Sequence, residues 1–99
     1  MSDYDDHDDI LTAAAAGGHL ATVELLLHNN ADPNTRDHAG RSALATAEAA
    51  GHDGVAELLL HNNADPNAAD RGGRTPLALA EHGGHAECAE AIRRAGGRA

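Results

Sequence analysis

Eight histidines, one cysteine and the glutamates Glu48 and Glu81, set 33 residues apart, are among the side chains of this 99-residue chain that could bind a metal or move a proton. His19, His52 and His85 recur every 33 residues, and His28 and His61 recur at the same interval. Equivalent residues of neighbouring units in a stack lie about 10 Å apart, the usual helix-packing distance. A zinc ion holds each imidazole at about 2.1 Å, so two such histidines cannot share one. The spacing points to histidines that pack or brace loops; no metal site and no cofactor is expected. Cys88 falls on the apolar side of a helical pattern and reads as a small core residue. Glu48 and Glu81 occupy equivalent positions on separate units, so they do not converge on one cleft as an acid–base pair must. Gly-rich phosphate loops, nucleophile elbows and metalloprotease helix motifs are missing. Tyr4 is the one aromatic residue, which leaves little to line a pocket for a small molecule. Catalysis is not expected.

The elements behind these positions follow from a repeat. "ELLLHNNADPN" runs from Glu24 to Asn34 and again, letter for letter, from Glu57 to Asn67. "DHAGRSALATAEAAGH" from Asp37 lies over "DRGGRTPLALAEHGGH" from Asp70, and "GHAECAEAIRRAGG" from Gly84 continues the frame. Each unit reads as turn, short helix, turn, longer helix. Ser42 and Thr75 are positioned to cap the short helices, with Pro76 at the first helical place of the latter. Gly51 and Gly83-Gly84 stop them. Val55, Leu58 and Leu59 fall at helical spacing in the second helix of the middle unit, as do Cys88, Ala91 and Ile92 in the last. Asn62-Asn63 ends the former, since Asn readily takes the left-handed conformation. Leu25, Leu58 and Leu59 are the expected large core residues of the second helices. Asp32-Pro33 and Asp65-Pro66 force an extended path.

Ninety-nine residues make one small domain. The apolar fraction of 41% is mostly Ala and Leu, with no Phe or Trp. Small side chains suit closely approaching helices rather than a sandwich or barrel, which favour β-branched and aromatic residues. The formal net charge is −9, and all seven basic residues are Arg. Five of the sixteen acids fall in residues 1–9, "MSDYDDHDD". That segment is expected to be an acidic leader to a domain spanning 10–99, as a solubilising tail, a helix-dipole cap or a blocker of a basic face. An acidic chain does not favour phosphate backbones, so neither nucleic acid nor an anionic membrane is an expected partner. One cysteine rules out an internal disulfide framework. With no apolar run of about 18 residues and no signal-peptide pattern, a cytoplasmic location is expected.

From about Ile10 to Gly97 the sequence resembles the ankyrin-repeat family. The 33-residue period, the "TPL" of Thr75–Leu77, the "GH" pairs at 18–19, 51–52 and 84–85, and "ADPN" at Ala31–Asn34 and Ala64–Asn67 carry the resemblance. It implies an all-α solenoid of three helix-turn-helix units with hairpin loops, covering about residues 4–36, 37–69 and 70–99. It implies binding of a partner protein, without chemistry, through the concave face formed by the inner helices and loop tips. The His that usually follows "TPL" is Ala45 in one unit and Ala78 in the next, so a bond that ties adjacent loops in the family is lost. Glu48 and Glu81 stand where the family usually has Ala. Asn34 and Asn67 are expected to brace the hairpins. Some family members carry a hydroxylated Asn there, but Pro33 and Pro66 precede these two where that recognition usually sees a Val-like residue.

Carried onto this chain, the resemblance places partner contacts at Arg36, His38 and Arg41 in one unit and at Arg71, Arg74 and His82 in the next. Ala39, Ala49, Ala50, Ala69, Gly72 and Gly83 lie beside them. Four of the seven arginines fall there, and Arg suits bidentate capture of carboxylates. An acidic partner segment is the reading; solvated loop charges offset by Glu48 and Glu81 are the alternative. Two other readings of the whole chain stand beside protein binding. One is an engineered or consensus-like scaffold without a native partner; the other is a self-associating module, monomer or weak homodimer, whose last unit stacks on another copy.

Overall fold

The computed structural model describes residues 6–37 and 40–98, with side chains from residue 10 onward. Six helices follow one another: α1 (Asp6–Ala16), α2 (Leu20–His28), α3 (Ala43–Ala50), α4 (Asp53–His61), α5 (Pro76–His82) and α6 (Ala86–Arg94). They form two layers. In one, α3 packs between α1 and α5; in the other, α4 packs between α2 and α6. The stack measures 39 × 27 × 20 Å. The all-α architecture is the one expected.

Local chemistry sets the boundaries. Ser42 Oγ accepts from the Ala45 N–H at 3.1 Å, and Thr75 Oγ1 accepts from the Ala78 N–H at 3.1 Å. Both satisfy amides that a helix start leaves without partners. Pro76 begins α5, where its missing N–H costs nothing. Asn30 and Asn63 take φ of 71° and 70° just beyond α2 and α4, the left-handed turn that ends a helix. α1 begins at Asp6, inside the acidic leader, so Asp6, Asp8 and Asp9 fall in its first turn.

Between units the chain doubles back in two tight hairpins. Asp37 and Arg41 close the first, the Asp37 N–H donating to the Arg41 carbonyl at 2.9 Å; Asp70 and Arg74 repeat this at 2.9 Å. Gly40 and Gly73 complete the turns at φ of 80° and 81°.

The core is made of small residues with a few large ones between them. Ala15, Ala43, Ala47, Ala56 and Ala80 are buried around Leu11, Leu44, Leu59 and Ile92. Alanine faces let helix axes approach closely, and the Leu and Ile side chains fill the space that remains. Leu25, expected in the core, is 59% exposed. Its counterpart Leu58 is partly buried against the core. The difference is one of position: α4 has a second-layer helix on each side, whereas α2 has α4 alone.

Leu59→Ala is therefore expected to cost about 2–5 kcal/mol. Leu25→Ala should stay within about 0.5 kcal/mol, as exposed substitutions do. Urea unfolding monitored by circular dichroism measures both, and equal losses would show that the two helices are not packed as described.

Candidate functional site

Three kinds of brace hold the hairpins and the ends of the first-layer helices in place, and the first two recur at the period of the sequence. The imidazole Nε2 of His52 lies 3.1 Å from the Ala16 carbonyl, and that of His85 lies 3.1 Å from the Ala49 carbonyl. A carbonyl only accepts, so each ring donates from Nε2. Each ring lies directly over the glycine of the preceding unit, Gly18 or Gly51, where a Cβ would come within 2.7 Å of it. Those glycines also take φ of 71° and 76°, so conformation and space both demand a residue without a side chain. His52 and His85 thus brace one unit against the preceding one, the role their spacing suggested.

Asparagines form the second brace. Asn34 Oδ1 accepts from the Asp65 N–H at 2.6 Å while Nδ2 donates to the Asn63 carbonyl at 3.3 Å. One unit on, Asn67 Oδ1 accepts from the Arg98 N–H at 2.8 Å and Nδ2 donates to the Gly96 carbonyl at 3.2 Å.

Arg36 forms the third. Its Nη1 donates to the Gly40 carbonyl of its own hairpin at 2.9 Å and to the Ala69 carbonyl of the next unit at 2.6 Å. This ties adjacent loops where the family's histidine is replaced by Ala45. Arg36, expected to meet a partner, is itself exposed, but its guanidinium is engaged by the chain's own carbonyls.

The other arginines of the expected site face outward. Arg41 pairs with Asp37 through Nη2 at 3.1 Å, and Arg74 pairs with Asp70 through Nε at 2.9 Å. In each pair the acid is turned in and the base out: the side chains of Asp37 and Asp70 are 17% and 2% exposed, those of Arg41 and Arg74 49% and 64%. The N–H groups of Arg74 and Gly72 and the Arg74 charge hold the Asp70 carboxyl below its usual range, against some desolvation. The pair therefore stays ionised at neutral pH, and its solvent-facing half is cationic. Arg71 is exposed and, among the described residues, has neither hydrogen bond nor ion pair; its stem passes over Gly40. His82 is exposed at the end of α5. His38 and Ala39 lie outside the described residues.

Beside Arg41 an open groove of about 440 Å³ runs between the first-layer helices. Thr12, Ala13 and Ala16 of α1 line one wall, Thr46, Ala49 and Ala50 of α3 the other, and Asp37 and Arg41 close one end. The register continues from Ala16 and Ala49 to His82 on α5. Ala49, Ala50 and Arg41, separate in the sequence reading, are thus brought to one groove; Thr12, Ala13 and Thr46 were missed. Among the described residues no group of three or more His, Cys, Asp or Glu is placed to hold a metal ion, and no helix is long and apolar enough to cross a membrane.

Glu48 and Glu81 do not offset the loop arginines. Glu48 is fully buried, and Glu81 pairs with Arg93 of α6.

Two layers of short helices, joined by hairpins and braced at a fixed period, define a helical repeat stack. Residues 10–97 match the family model for ankyrin repeats in three copies, and the chain belongs to the ankyrin-repeat family. Comparison with curated proteins finds no match. Members of this family generally mediate protein–protein interaction and are generally not enzymes.

Arg36→Ala removes a charged donor from two carbonyls and is expected to lower stability by about 1–2 kcal/mol. Arg71→Ala, which loses no hydrogen bond or ion pair among the described residues, should leave it unchanged. Thermal melts of the two variants separate the brace from the free cation.

Proposed function

We propose that the chain binds a partner protein, without chemistry, through the face formed by its first-layer helices and hairpin tips, and that it prefers an acidic segment of that partner. The observation that carries this reading is the orientation of the hairpin ion pairs. Asp37 and Asp70 are turned inward, so a partner meets the guanidinium groups of Arg41 and Arg74 and the free cation of Arg71. Among the described residues only Nε of Arg74 has a partner, which leaves both Nη groups open, and a guanidinium is shaped to bond both oxygens of a carboxylate. The groove beside Arg41 has apolar Ala13, Ala16, Ala49 and Ala50 exposed along it, a surface for the stem of a bound segment. His82 extends the same row, and His38, which aligns with Arg71 in the sequence repeat, is included in the proposal. Arg36 contributes by holding the two tips in fixed relation. In this reading the protein is an interaction module of the cytoplasm, and residues 1–9 form an acidic leader to it.

The test is a selection of peptides from a random display library against the immobilised chain. Enriched peptides should carry Asp or Glu. Their affinity should fall about tenfold or more, at least ~1.4 kcal/mol, for a variant with Arg41→Glu and Arg74→Glu, and should weaken with salt. Peptides without acidic enrichment that bind the double variant as tightly as the parent would sink the reading.

A further inference from the structure

Glu48 is a carboxylic acid with 0% exposure, and neither of its oxygens has a hydrogen-bond partner among the described residues. It lies on α3, in register with Ala15 of the first unit and Glu81 of the third. The same letter meets opposite surroundings at the two glutamate positions. The Glu81 side chain is 45% exposed and paired with Arg93. Glu48 is covered by the third unit, whose α5 packs on α3 and whose α6 brings Cys88 against it.

Among the described residues no cation compensates Glu48. From α4 it meets the carboxylate of Asp53, and from α6 the thiol of Cys88, which donates to Asp53 Oδ1 at 2.8 Å. The ionisable side chains of α5, Glu81 and His82, are exposed. The described side chains of α1 include none, and the imidazoles of His52 and His85 are engaged with the carbonyls of Ala16 and Ala49. Burial first, and the Asp53 charge second, push the Glu48 carboxyl up from 4.5 to about 8, with the Cys88 contact acting the other way. Burial and the two neighbouring carboxyls push the Cys88 thiol well above its usual range.

A carboxylate without cation or donor needs water. In a stack, where each unit contacts only its neighbours, an end unit can open while the others stay folded. Separating the third unit from the second is therefore the shortest route by which water reaches Glu48. We propose that Glu48 is a proton-operated latch between the second and third units: protonated, it lets α5 and α6 seat on α3 and α4; ionised, it drives them off and brings the Cys88 thiol to solvent. The hairpin bearing Arg71 and Arg74 belongs to the unit that opens. The latch does not depend on what that hairpin binds.

The closed state holds a proton that the open state releases. Stability of the closed junction is therefore fully present below about pH 4.5, the ordinary value, and falls as pH rises toward about 8, the value in the closed state. The opening constant grows about tenfold per pH unit across that window and levels off above it.

Cys88 is the single cysteine, so its labelling by N-ethylmaleimide reads the opening without ambiguity. Labelling that is slow relative to closing tracks the open population. Rates are measured between about pH 5 and about pH 9 on the parent, Glu48→Gln and Glu48→Ala, the last being the residue type of the first unit. Dividing the parent rate by a variant rate at each pH cancels the thiolate fraction of the open state. The ratio should climb about tenfold per pH unit to about pH 8 and then level. Amides of α1 and α2 should stay protected from hydrogen exchange under the same conditions. A flat ratio against whichever variant folds overturns the latch, as does labelling that rises in step with loss of protection in α1 and α2.

Discussion

Everything in this protein depends on one constraint: a unit of this sequence cannot bury its own apolar side. Its short helices run seven to eleven residues, too short to be stable alone in water. They stand because α3 lies between α1 and α5, and α4 between α2 and α6. Alanine makes the close approach possible; Leu44, Leu59 and Ile92 fill the seams. The braces follow from the same constraint. His52 and His85 each reach back to a carbonyl of the preceding unit, and Asn34, Asn67 and Arg36 join a loop to the next. Repetition in the sequence is thus repetition of interfaces.

A residue's place in the stack then decides what its letter means. Glu48 and Glu81 are equivalent in sequence, yet one is sealed beneath a neighbouring unit and the other reaches Arg93. Leu25 and Leu58 are equivalent, yet one is exposed and the other packs. Ala15, in register with Glu48, is equally buried and fits without cost. The second unit, with neighbours on both sides, is where a polar substitution meets the driest surroundings.

This explains what could be read in advance. The period, the caps at Ser42 and Thr75, the stops at Gly51 and Asn63 and the apolar side of α6 are local features, fixed by residues within a turn or two of one another. They were legible. The fate of Glu48, the exposure of Leu25 and the engagement of Arg36 depend on residues about one period away, and on which unit has a neighbour. The run Leu25-Leu26-Leu27 spreads apolar groups around much of a helix, so pattern alone could not say which of them turns outward. The tip arginines lay between these cases. Their clustering was visible in the sequence; the inward turn of half-buried Asp37 and buried Asp70 behind Arg41 and Arg74, which gives the surface its sign, was not.

The central claim, that stability resides in the contact between neighbouring units, is tested most directly by residue-resolved hydrogen exchange on the intact chain near neutral pH. If the claim holds, the slowest amides lie in α3 and α4, which have neighbours on both sides, and exchange is faster in α2 and α6. Slowest exchange in an end unit, with α3 and α4 opening first, would contradict it and place the stability within single units instead.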